Sequence, residues 1–389
     1  MKVLIAIDSF KDCLSSMEAG EAVKKGIIKA CPDSQVIVRT ISDGGEGMSE
    51  TLISALGCDV VHAKVSDPLQ RQIDVSYGFS AEKKLAVMEM ASAAGIMLLG
   101  DSEKDPMETT TYGVGEMIAD ALRRGARDFI VGIGGSATND GGMGMMQALG
   151  FEFFDAAGDP VSPRGKGLKD IMRIDDSNVL PQIKESRFRV ACDVDNALCG
   201  ETGCSAVFGP QKGLRGDDIA IMDMWLKNYA RLTKEKHPDA DPDQPGAGAA
   251  GGMGFAFRSY LNAELLPGID MIIRETGIDK DIEGADMIIT GEGCLDEQSI
   301  RGKVPVGVAR YAKRYGKPVI ALAGMIKDTD VSFHEYGIDA CFPIIRRPMG
   351  LSEAMDLETA KRGLETTAEQ IFRLISVIPN KGGWSCTDC

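Results

Sequence analysis

Residues 131–150, VGIGGSATNDGGMGMMQALG, have the pattern of a strand, a glycine-rich loop and a helix in direct succession. The stretch begins with apolar residues, as in a strand that is covered on both faces. Glycines and small polar residues follow, and the stretch ends with helical spacing. A buried strand that passes through a short loop into a helix is typical of a parallel sheet with covering helices.

The same β-α alternation occurs at both ends of the chain. The apolar run KVLIAI at Lys2–Ile7 predicts a buried strand, and a helix is predicted after it, with Ser15 or Ser16 as the N-cap and Glu18 as its capping-box partner. The alternation returns after Asp286. Between residues 59 and 90, three predicted strands are joined by short polar links, which favours antiparallel pairing.

These patterns predict an α/β fold in which both chain ends form one parallel three-layer α/β domain and a second, mixed α/β domain is inserted. We assign residues 1–74 and 284–380 to the discontinuous Rossmann-like domain, 75–283 to the inserted domain with a mixed sheet, and 381–389 to a tail that holds Cys386 and Cys389. A contiguous split into two domains is the alternative.

The composition and charge of the chain limit the partners and the cellular location that we expect. The 389 residues carry a formal net charge of −15, which argues against nucleic acid and anionic membranes as partners. No apolar run approaches the ~20 residues that cross a bilayer. We expect a cytoplasmic protein, because the apolar stretch in MKVLIAIDSFKD is too short for a signal peptide. The ten cysteines are scattered, so in that compartment we expect reduced thiols. A homo-oligomer is left open.

Carboxylates recur at the predicted strand ends, beside glycine or serine. Ligands of open α/β sheets bind at the carboxyl ends of the strands. Any one of these loops is explained as a β-α turn, but crowded carboxylates repel one another unless a cation such as Mg²⁺ offsets the repulsion. The polar residues at these ends are Asp8, Ser9, Lys11, Asp43, Glu46, Ser136, Thr138, Asn139, Asp140, Asp193, Asp195, Asn196, Glu292, Asp296 and Ser299.

The loop in residues 131–150 has the composition of a phosphate-binding loop. Gly134 and Gly135 let the backbone approach a ligand, Ser136 and Thr138 offer hydroxyls, and the following helix is expected to point its N–H groups at an anion. Residues 237–254 contain a second glycine-rich run with Gly248, Gly251 and Gly252. This segment is interpreted either as a disordered linker or as a second phosphate loop.

Phosphoryl transfer requires a metal, cations and a group that orients the acceptor hydroxyl. The candidate cations are Lys11, Lys212, Arg301 and Lys303, although most lysines of the chain are expected at the surface. Neither glycine loop fits the P-loop pattern or a clean dinucleotide-binding pattern. A P-loop NTPase and a Rossmann oxidoreductase are therefore disfavoured.

Taken together, several motifs resemble those of the bacterial glycerate kinases of the glycerate 2-kinase type. They are DSFK, SDGGEG, GIGGSATNDGG, ACDVDN, FGPQKG, PGAGAAGG and TGEGCLDEQS, and they extend from Met1 to about Leu374. The resemblance implies ATP-dependent phosphorylation of D-glycerate to 2-phosphoglycerate, assisted by Mg²⁺, in a cleft between two α/β domains. Cys294, where the family is expected to have arginine, and Asp12 and Cys13, where glycine and serine are more usual, depart from it.

With this resemblance, the site residues take hypothetical roles. The catalytic candidates are Asp193, Lys11 and Asp43; the nucleotide-binding candidates are Gly134, Gly135, Ser136, Thr138, Gly248, Gly251 and Gly252; the substrate-binding candidates are Asp8, Ser9, Asp296, Ser299, Arg301 and Lys303; and the metal candidates are Asp193, Asp195 and Glu292. Two alternatives remain open. One is a kinase of another small hydroxy acid or sugar acid, and the other is a non-catalytic nucleotide or phosphate sensor.

Overall fold

The computed structural model describes residues 1–10, 12–42, 48–327 and 332–377, without the side chain of Arg301. Its strands are β1 (Lys2–Ile7), β2 (Gln35–Val38), β3 (Asp59–Ser66), β4 (Gln72–Ser80), β5 (Leu85–Glu89), β6 (Asp128–Gly132), β7 (Glu152–Phe154), β8 (Arg173–Asp175), β9 (Arg187–Ala191), β10 (Glu264–Leu266), β11 (Met287–Leu295), β12 (Val319–Ile326) and β13 (Ala340–Pro343). The predicted α/β class is confirmed.

The helices connect these strands. They are α1 (Ser16–Ala30), α2 (Met48–Leu56), α3 (Ala91–Ala94), α4 (Tyr112–Arg123), α5 (Met143–Ala148), α6 (Cys204–Lys212), α7 (Asp218–Lys236), α8 (Ala249–Leu261), α9 (Gly268–Thr276), α10 (Ile278–Gly284), α11 (Val304–Arg314), α12 (Leu351–Ala354) and α13 (Leu357–Val377). No helix among the described residues combines the length and the apolar character needed to cross a membrane.

The chain divides into two compact units. The first contains the described residues within Met1–Asp43 and Ile272–Cys389, and the second those within Gly44–Met271. The first unit is thus built from both chain ends. Its first limit lies before the predicted boundary after residue 74, because β3 and β4 belong to the sheet of the second unit. Its second limit lies before the predicted boundary after residue 283, because α10 packs on β1 and α11 of the first unit. That the units are independent folding domains stays a prediction.

The sheet of the first unit has five strands in the order β13-β12-β11-β1-β2, and all four neighbouring pairs are parallel. Val3, Ile5 and Ile7 pack with α1 and α13 on one face. Leu4 and Ala6, both fully buried, face the opposite side because side chains alternate along a strand. α10 and α11 contact β1 there, so the sheet is the middle of three layers.

The first helix begins where its capping residues predict. The Ser15 hydroxyl accepts a hydrogen bond from the Glu18 backbone N–H, and the Glu18 carboxylate accepts one in return from Ser15 N. This reciprocal capping box satisfies two backbone donors at the helix N-terminus. It fixes the end of the loop that leaves β1, which is the loop that carries Asp8 and Ser9.

The sheet of the second unit is mixed, with the order β10-β9-β6-β5-β4-β3. The predicted antiparallel pairing is confirmed for β3 with β4 and for β4 with β5, whereas β5, β6, β9 and β10 run parallel. Met222, Leu226 and Tyr229 of α7 are fully buried in the core of this unit. β6 lies near the middle of the sheet, which places the loop after it at the carboxyl edge of the parallel strands.

Residues 246–249 are buried and ordered, so the linker interpretation of this segment is wrong. α8 follows directly, with Ala250, Gly251 and Gly252 in left-handed conformations that kink its start. A Cβ atom on Gly251 would lie 2.1 Å from the Thr138 carbonyl oxygen, so the chain passes closer to the loop after β6 than any side chain would allow.

Candidate active site

The strand order of the first unit predicts where a ligand binds. From β1 the chain moves to β2 on one side, and it later returns to β11 on the other side of β1. This reversal of strand order leaves a crevice at the carboxyl ends of β1 and β11, the point at which doubly wound sheets bind their ligands. The side chains at these two strand ends therefore form the candidate active site.

Asp8 directly follows β1, and Glu292 lies within β11, one residue beyond the partner of the last residue of β1. Ile7 pairs with Gly291 across the sheet, and the Asp8 backbone N–H donates to the Gly291 carbonyl oxygen at 2.9 Å. Asp8 and Glu292 are each only 6% exposed. The Asp8 carboxylate accepts a hydrogen bond of 2.7 Å from the Ser9 backbone N–H, which fixes its orientation.

Neighbouring groups compensate only part of the negative charge of the buried Glu292 carboxylate. Its Oε2 atom lies 3.5 Å from the ammonium group of Lys303, and no hydrogen-bond partner among the described residues reaches its buried Oε1 atom. Burial raises the pKa of Glu292, and Lys303 and the Ser299 hydroxyl only partly oppose this effect. A buried carboxylate oxygen without a donor favours either a proton or a bound cation.

Asp296 and Ser299 form the turn after β11. The Asp296 carboxylate pairs with Lys327 at 2.9 Å, and this partner chiefly lowers the pKa of Asp296. The fully buried Ser299 hydroxyl accepts a hydrogen bond from the Asp296 backbone N–H. Lys327 was not among the candidates from the sequence, although it directly follows β12 and the search for polar residues at strand ends could have found it.

A cavity of about 890 Å³ opens at these strand ends. Five of the predicted site residues line it, namely Asp8, Ser9, Glu292, Asp296 and Lys303. Cys13 and Cys294, two of the departures from the glycerate kinase pattern, line it as well. The structure thus brings together in one cavity predicted site residues from opposite ends of the chain, from Asp8 to Lys303.

The glycine loop after β6 belongs to the second unit. Gly134 and Gly135 are exposed, and Gly135 has a positive φ of 71°. Ser136 and Thr138 are buried, with exposed fractions of 8% and 0%. The backbone at Gly134 and Gly135 is therefore open to a ligand, whereas the Thr138 side chain is enclosed by protein.

The N-terminus of α5 does not offer its N–H groups to an anion, which corrects the sequence prediction. The Asp140 carboxylate accepts hydrogen bonds from the backbone N–H groups of Gly142 and Gly144, and also from the backbone and hydroxyl of Thr111. Burial raises the pKa of Asp140, and these hydrogen bonds oppose the rise. The Asp140 carboxylate thus caps the N-terminus of α5 and is not one of the strand-end carboxylates that could bind a ligand.

Lys212 holds the glycine loop after β6 in place through hydrogen bonds. Its Nζ atom donates to the Ser136 hydroxyl at 2.6 Å and to the Thr138 carbonyl oxygen at 2.7 Å. Lys212 is only 2% exposed, so it is an exception to the surface position expected for most lysines, and burial lowers its pKa to about 8. The lysine fixes the position of the loop whose glycines are exposed.

Close backbone packing explains why the second glycine-rich loop has glycine at these positions. A Cβ atom on Gly248 would lie 2.2 Å from the Ala197 carbonyl oxygen, and one on Gly252 would lie 2.8 Å from the Cα atom of Gly141. Both residues are buried, as is Gly251. These contacts account for the glycines without a ligand, and their role in nucleotide binding stays a prediction.

Asp193 and Asp195 follow β9 in the second unit, and both are exposed. Asp193 accepts a hydrogen bond of 2.9 Å from the Gly268 backbone N–H at the start of α9. Within the described residues, no three His, Cys, Asp or Glu side chains converge in a geometry that could hold a metal. The predicted set of Asp193, Asp195 and Glu292 draws on both units, and it stays a prediction.

Lys11, Asp43 and Glu46 lie outside the described residues, as does the predicted tail with Cys386 and Cys389. Only the backbone of Arg301 is described, in a short 3₁₀ helix, Ser299–Arg301.

Comparison with known proteins identifies the family. The model of the glycerate kinase family matches residues 3–376. Glycerate 2-kinase of Escherichia coli (strain K12) is 45% identical over 355 residues, which cover 91% of this chain and 93% of the relative. Glycerate kinase of Halalkalibacterium halodurans is 41% identical over 376 residues, 97% of each chain.

A solved structure agrees with these matches. The crystal structure described as that of a glycerate kinase 2 from Salmonella typhimurium LT2 superimposes with a TM-score of 0.86. It is 39% identical in sequence, and the match covers 97% of this chain and 98% of the other. On these similarities, which extend over nearly its whole length, the chain belongs to the glycerate kinase family.

Proposed function

We propose that this protein transfers the terminal phosphoryl group of ATP to D-glycerate and forms 2-phosphoglycerate. The observation that carries the proposal is the carboxylate pair Asp8 and Glu292 at the switch point of the first unit, in a chain that belongs to the glycerate kinase family. The 45% identity with the Escherichia coli glycerate 2-kinase supports transfer to the 2-hydroxyl group.

Mg²⁺ fits the residues at this site. Magnesium in phosphoryl-transfer enzymes is held by one or two carboxylates together with phosphate oxygens. Glu292 offers the buried Oε1 atom, to which no described residue donates a hydrogen bond, and Asp8 is the carboxylate at the end of the neighbouring strand β1. When bound, the ion would neutralise charge on the phosphates.

The proposed roles of the surrounding residues follow from their positions. Lys303 lies beside Glu292 and would provide positive charge for a phosphate group or the glycerate carboxylate. Ser9 and Asp296 line the same cavity and are kept as substrate contacts. Ser299 and Arg301, predicted for the same role, belong to the turn beside them.

In the second unit, we keep Asp193 as the residue that orients or deprotonates the acceptor hydroxyl. Its exposed position at the end of β9 and its hydrogen bond from Gly268 N support this role, because a general base needs a fixed and accessible carboxylate. Gly134 and Gly135 remain proposed contacts for a phosphate group. Lys11 and Asp43 remain proposed catalytic residues on the sequence alone.

An assay of ADP release with several acceptors tests the proposal. The purified protein is incubated with ATP and Mg²⁺ and with D-glycerate, tartronate, glycolate or erythronate in parallel. We expect the highest kcat/KM with D-glycerate and slow ADP release when no acceptor is present.

Two outcomes would contradict the proposal. A higher kcat/KM with another acid would assign the protein to the kinases of that acid. Binding of ATP without ADP release in the presence of every acid would make it a nucleotide sensor. The cytoplasmic location and a homo-oligomeric state stay predictions from the sequence.

A further inference from the structure

The cavity at the switch point extends beyond the carboxylates to an apolar wall. This wall is formed by the segment after β13 and by α12 with the residue that follows it. Its apolar residues are Ile344, Ile345, Met349, Leu351, Ala354 and Met355. The cavity therefore has two chemically different parts, with strand-end carboxylates in one and aliphatic and thioether side chains in the other.

Several of these apolar side chains are unusually exposed. Leu351 is 76% exposed, and Met325 of β12, which lines the same cavity outside the wall, is 49% exposed. Ile345 and Met355, on the same cavity, are each 37% exposed. Large apolar side chains that are exposed together in a concave site are typical of a binding site for a ligand with an apolar surface.

Positive charge accompanies the apolar wall. Arg346, Arg347 and Arg362 all line the cavity. Arg347 pairs with Glu353, whereas in the described part of the chain neither Arg346 nor Arg362 has an ion-pair partner. This concentration of guanidinium groups, in a chain of net charge −15, provides local complementarity to a polyanion.

The size of the cavity selects between the two proposed substrates. Pockets for drug-sized small molecules and cofactors have volumes of about 300–1,000 Å³, and this cavity has about 890 Å³. Glycerate has only three carbons, and each carries oxygen, so it would leave most of the cavity empty and the apolar wall uncovered. ATP combines a flat base, which suits that wall, with phosphates, which suit the arginines.

We propose that the adenine and ribose of ATP bind in this cavity of the first unit, against the wall formed by Ile345, Leu351 and Met355. The phosphates then extend from the arginines toward Asp8 and Glu292 at the switch point. This assignment rests on the proposed function only in taking ATP as the co-substrate.

As far as the structure describes them, the two glycine-rich loops of the second unit offer no comparable site for a nucleoside. Asp140 and Thr111 occupy the backbone donors at the start of α5, and backbone packing encloses Gly248, Gly251 and Gly252. The exposed backbone at Gly134 and Gly135 is suited to a small anionic group but offers no apolar wall. The nucleoside is therefore assigned to the first unit.

Photolabelling with 8-azido-ATP locates the base directly. The full chain is irradiated with the probe and Mg²⁺, with and without excess ATP, and the labelled peptides are identified by mass spectrometry. We expect ATP-protectable label within residues 344–363. Protectable label confined to residues 131–140 or 245–252, or to any peptide that contributes nothing to the cavity, would overturn the assignment.

A matched pair of variants provides a second readout. Leu351→Asp places a charge on the apolar wall, and Leu374→Asp makes the same change at a 59% exposed leucine of α13 that does not line the cavity. For Leu351→Asp we expect the KM for ATP to rise about tenfold or more, because an apolar contact with the base is lost. The KM for D-glycerate should change much less, and Leu374→Asp should resemble the wild type.

The results separate this assignment from the proposed function. Equal KM values for ATP in Leu351→Asp and Leu374→Asp would refute the nucleoside site even if the protein phosphorylates glycerate. Protectable label in residues 344–363 of a protein that does not phosphorylate glycerate would refute the proposed function and support the nucleoside site.

Discussion

The ammonium group of Lys212 lies 2.6 Å from the Ser136 hydroxyl and 2.7 Å from the Thr138 carbonyl oxygen. A buried lysine from the end of α6 thus holds the loop after β6, 76 positions earlier in the chain. The charge has little access to solvent, so its protonation is linked to the stability of the fold.

This linkage predicts how stability depends on pH. Burial lowers the pKa of Lys212 from 10.5 to about 8, so between these values the unfolded chain binds a proton that the folded chain lacks. As pH rises through this range, the free energy of unfolding of the wild type should increase relative to that of Lys212→Met. At about 1.4 kcal/mol per pKa unit, the free energy of unfolding of the wild type should rise by up to about 3 kcal/mol relative to that of the variant.

Urea denaturation at pH 7.5 and pH 10 measures this difference. Lys234→Met, which removes an exposed lysine of the same unit, is the comparison variant. A difference between wild type and Lys212→Met that stays constant over this range would show that burial does not lower the pKa of Lys212.

Glu292→Gln should stabilise the protein and impair catalysis. Because burial raises the pKa of Glu292, the ionised form is unfavourable in the fold, and without ligands the variant should have a higher Tm than the wild type at pH 7. The difference in Tm between the variant and the wild type should become smaller as pH falls and Glu292 binds a proton. We expect kcat/KM to fall by about 10²-fold or more, since a carboxylate that would hold the metal is lost.

Glu297→Gln is the matched control, because Glu297 is exposed in the same segment. Thermal unfolding from pH 4 to pH 8 and steady-state kinetics provide the two readouts. If Glu292→Gln and Glu297→Gln behaved alike in both, the assignment of Glu292 to the active site would be wrong.

Asp193→Asn tests the proposed base. The amide can still accept the hydrogen bond from Gly268 N, so the fold should be preserved, but it cannot take a proton from the acceptor hydroxyl. A general base contributes about 10²–10⁴-fold, and we expect kcat to fall within that range. Circular dichroism verifies the fold, and nearly full turnover by a folded variant would exclude Asp193 as the base.

A pair of glycine variants separates packing from ligand contact. Gly251→Ala should destabilise the fold by about 2 kcal/mol or more, because φ is +68° and the new Cβ atom would lie 2.1 Å from the Thr138 carbonyl oxygen. Gly134→Ala meets no atom within 4 Å, so its stability should stay close to that of the wild type. If the Gly134 backbone contacts a phosphate, this variant should instead raise the KM for ATP.

Chemical denaturation and steady-state kinetics of both variants measure these effects. Comparable destabilisation by the two substitutions would contradict the contrast between a packed and an open glycine. An unchanged KM for ATP in Gly134→Ala would remove that glycine from the nucleotide contacts.

The sequence predicted the features that depend on local pattern. The apolar run of β1, the capping box of Ser15 and Glu18 and the antiparallel β3–β4 pair are each encoded within a few neighbouring residues. The carboxylates Asp8 and Glu292 could be found because the ends of parallel strands meet at one edge of a sheet.

Features that depend on distant contacts could not be predicted. The sequence does not reveal that Lys212 is buried, because its partners Ser136 and Thr138 come from another loop. The sequence also does not reveal that Asp140 caps the N-terminus of α5, because the orientation of its carboxylate depends on the position of Thr111. The apolar wall around Leu351 was missed because its residues come from short elements without a regular period.

Phosphorus NMR of the reaction mixture tests the central claim most directly. The protein is incubated with ATP, Mg²⁺ and D-glycerate, and the products are compared with authentic 2- and 3-phosphoglycerate. Our account predicts a stoichiometric pair of ADP and 2-phosphoglycerate. The appearance of 3-phosphoglycerate would contradict the assigned acceptor hydroxyl, and ATP that remains intact beside unmodified glycerate would contradict the kinase activity itself.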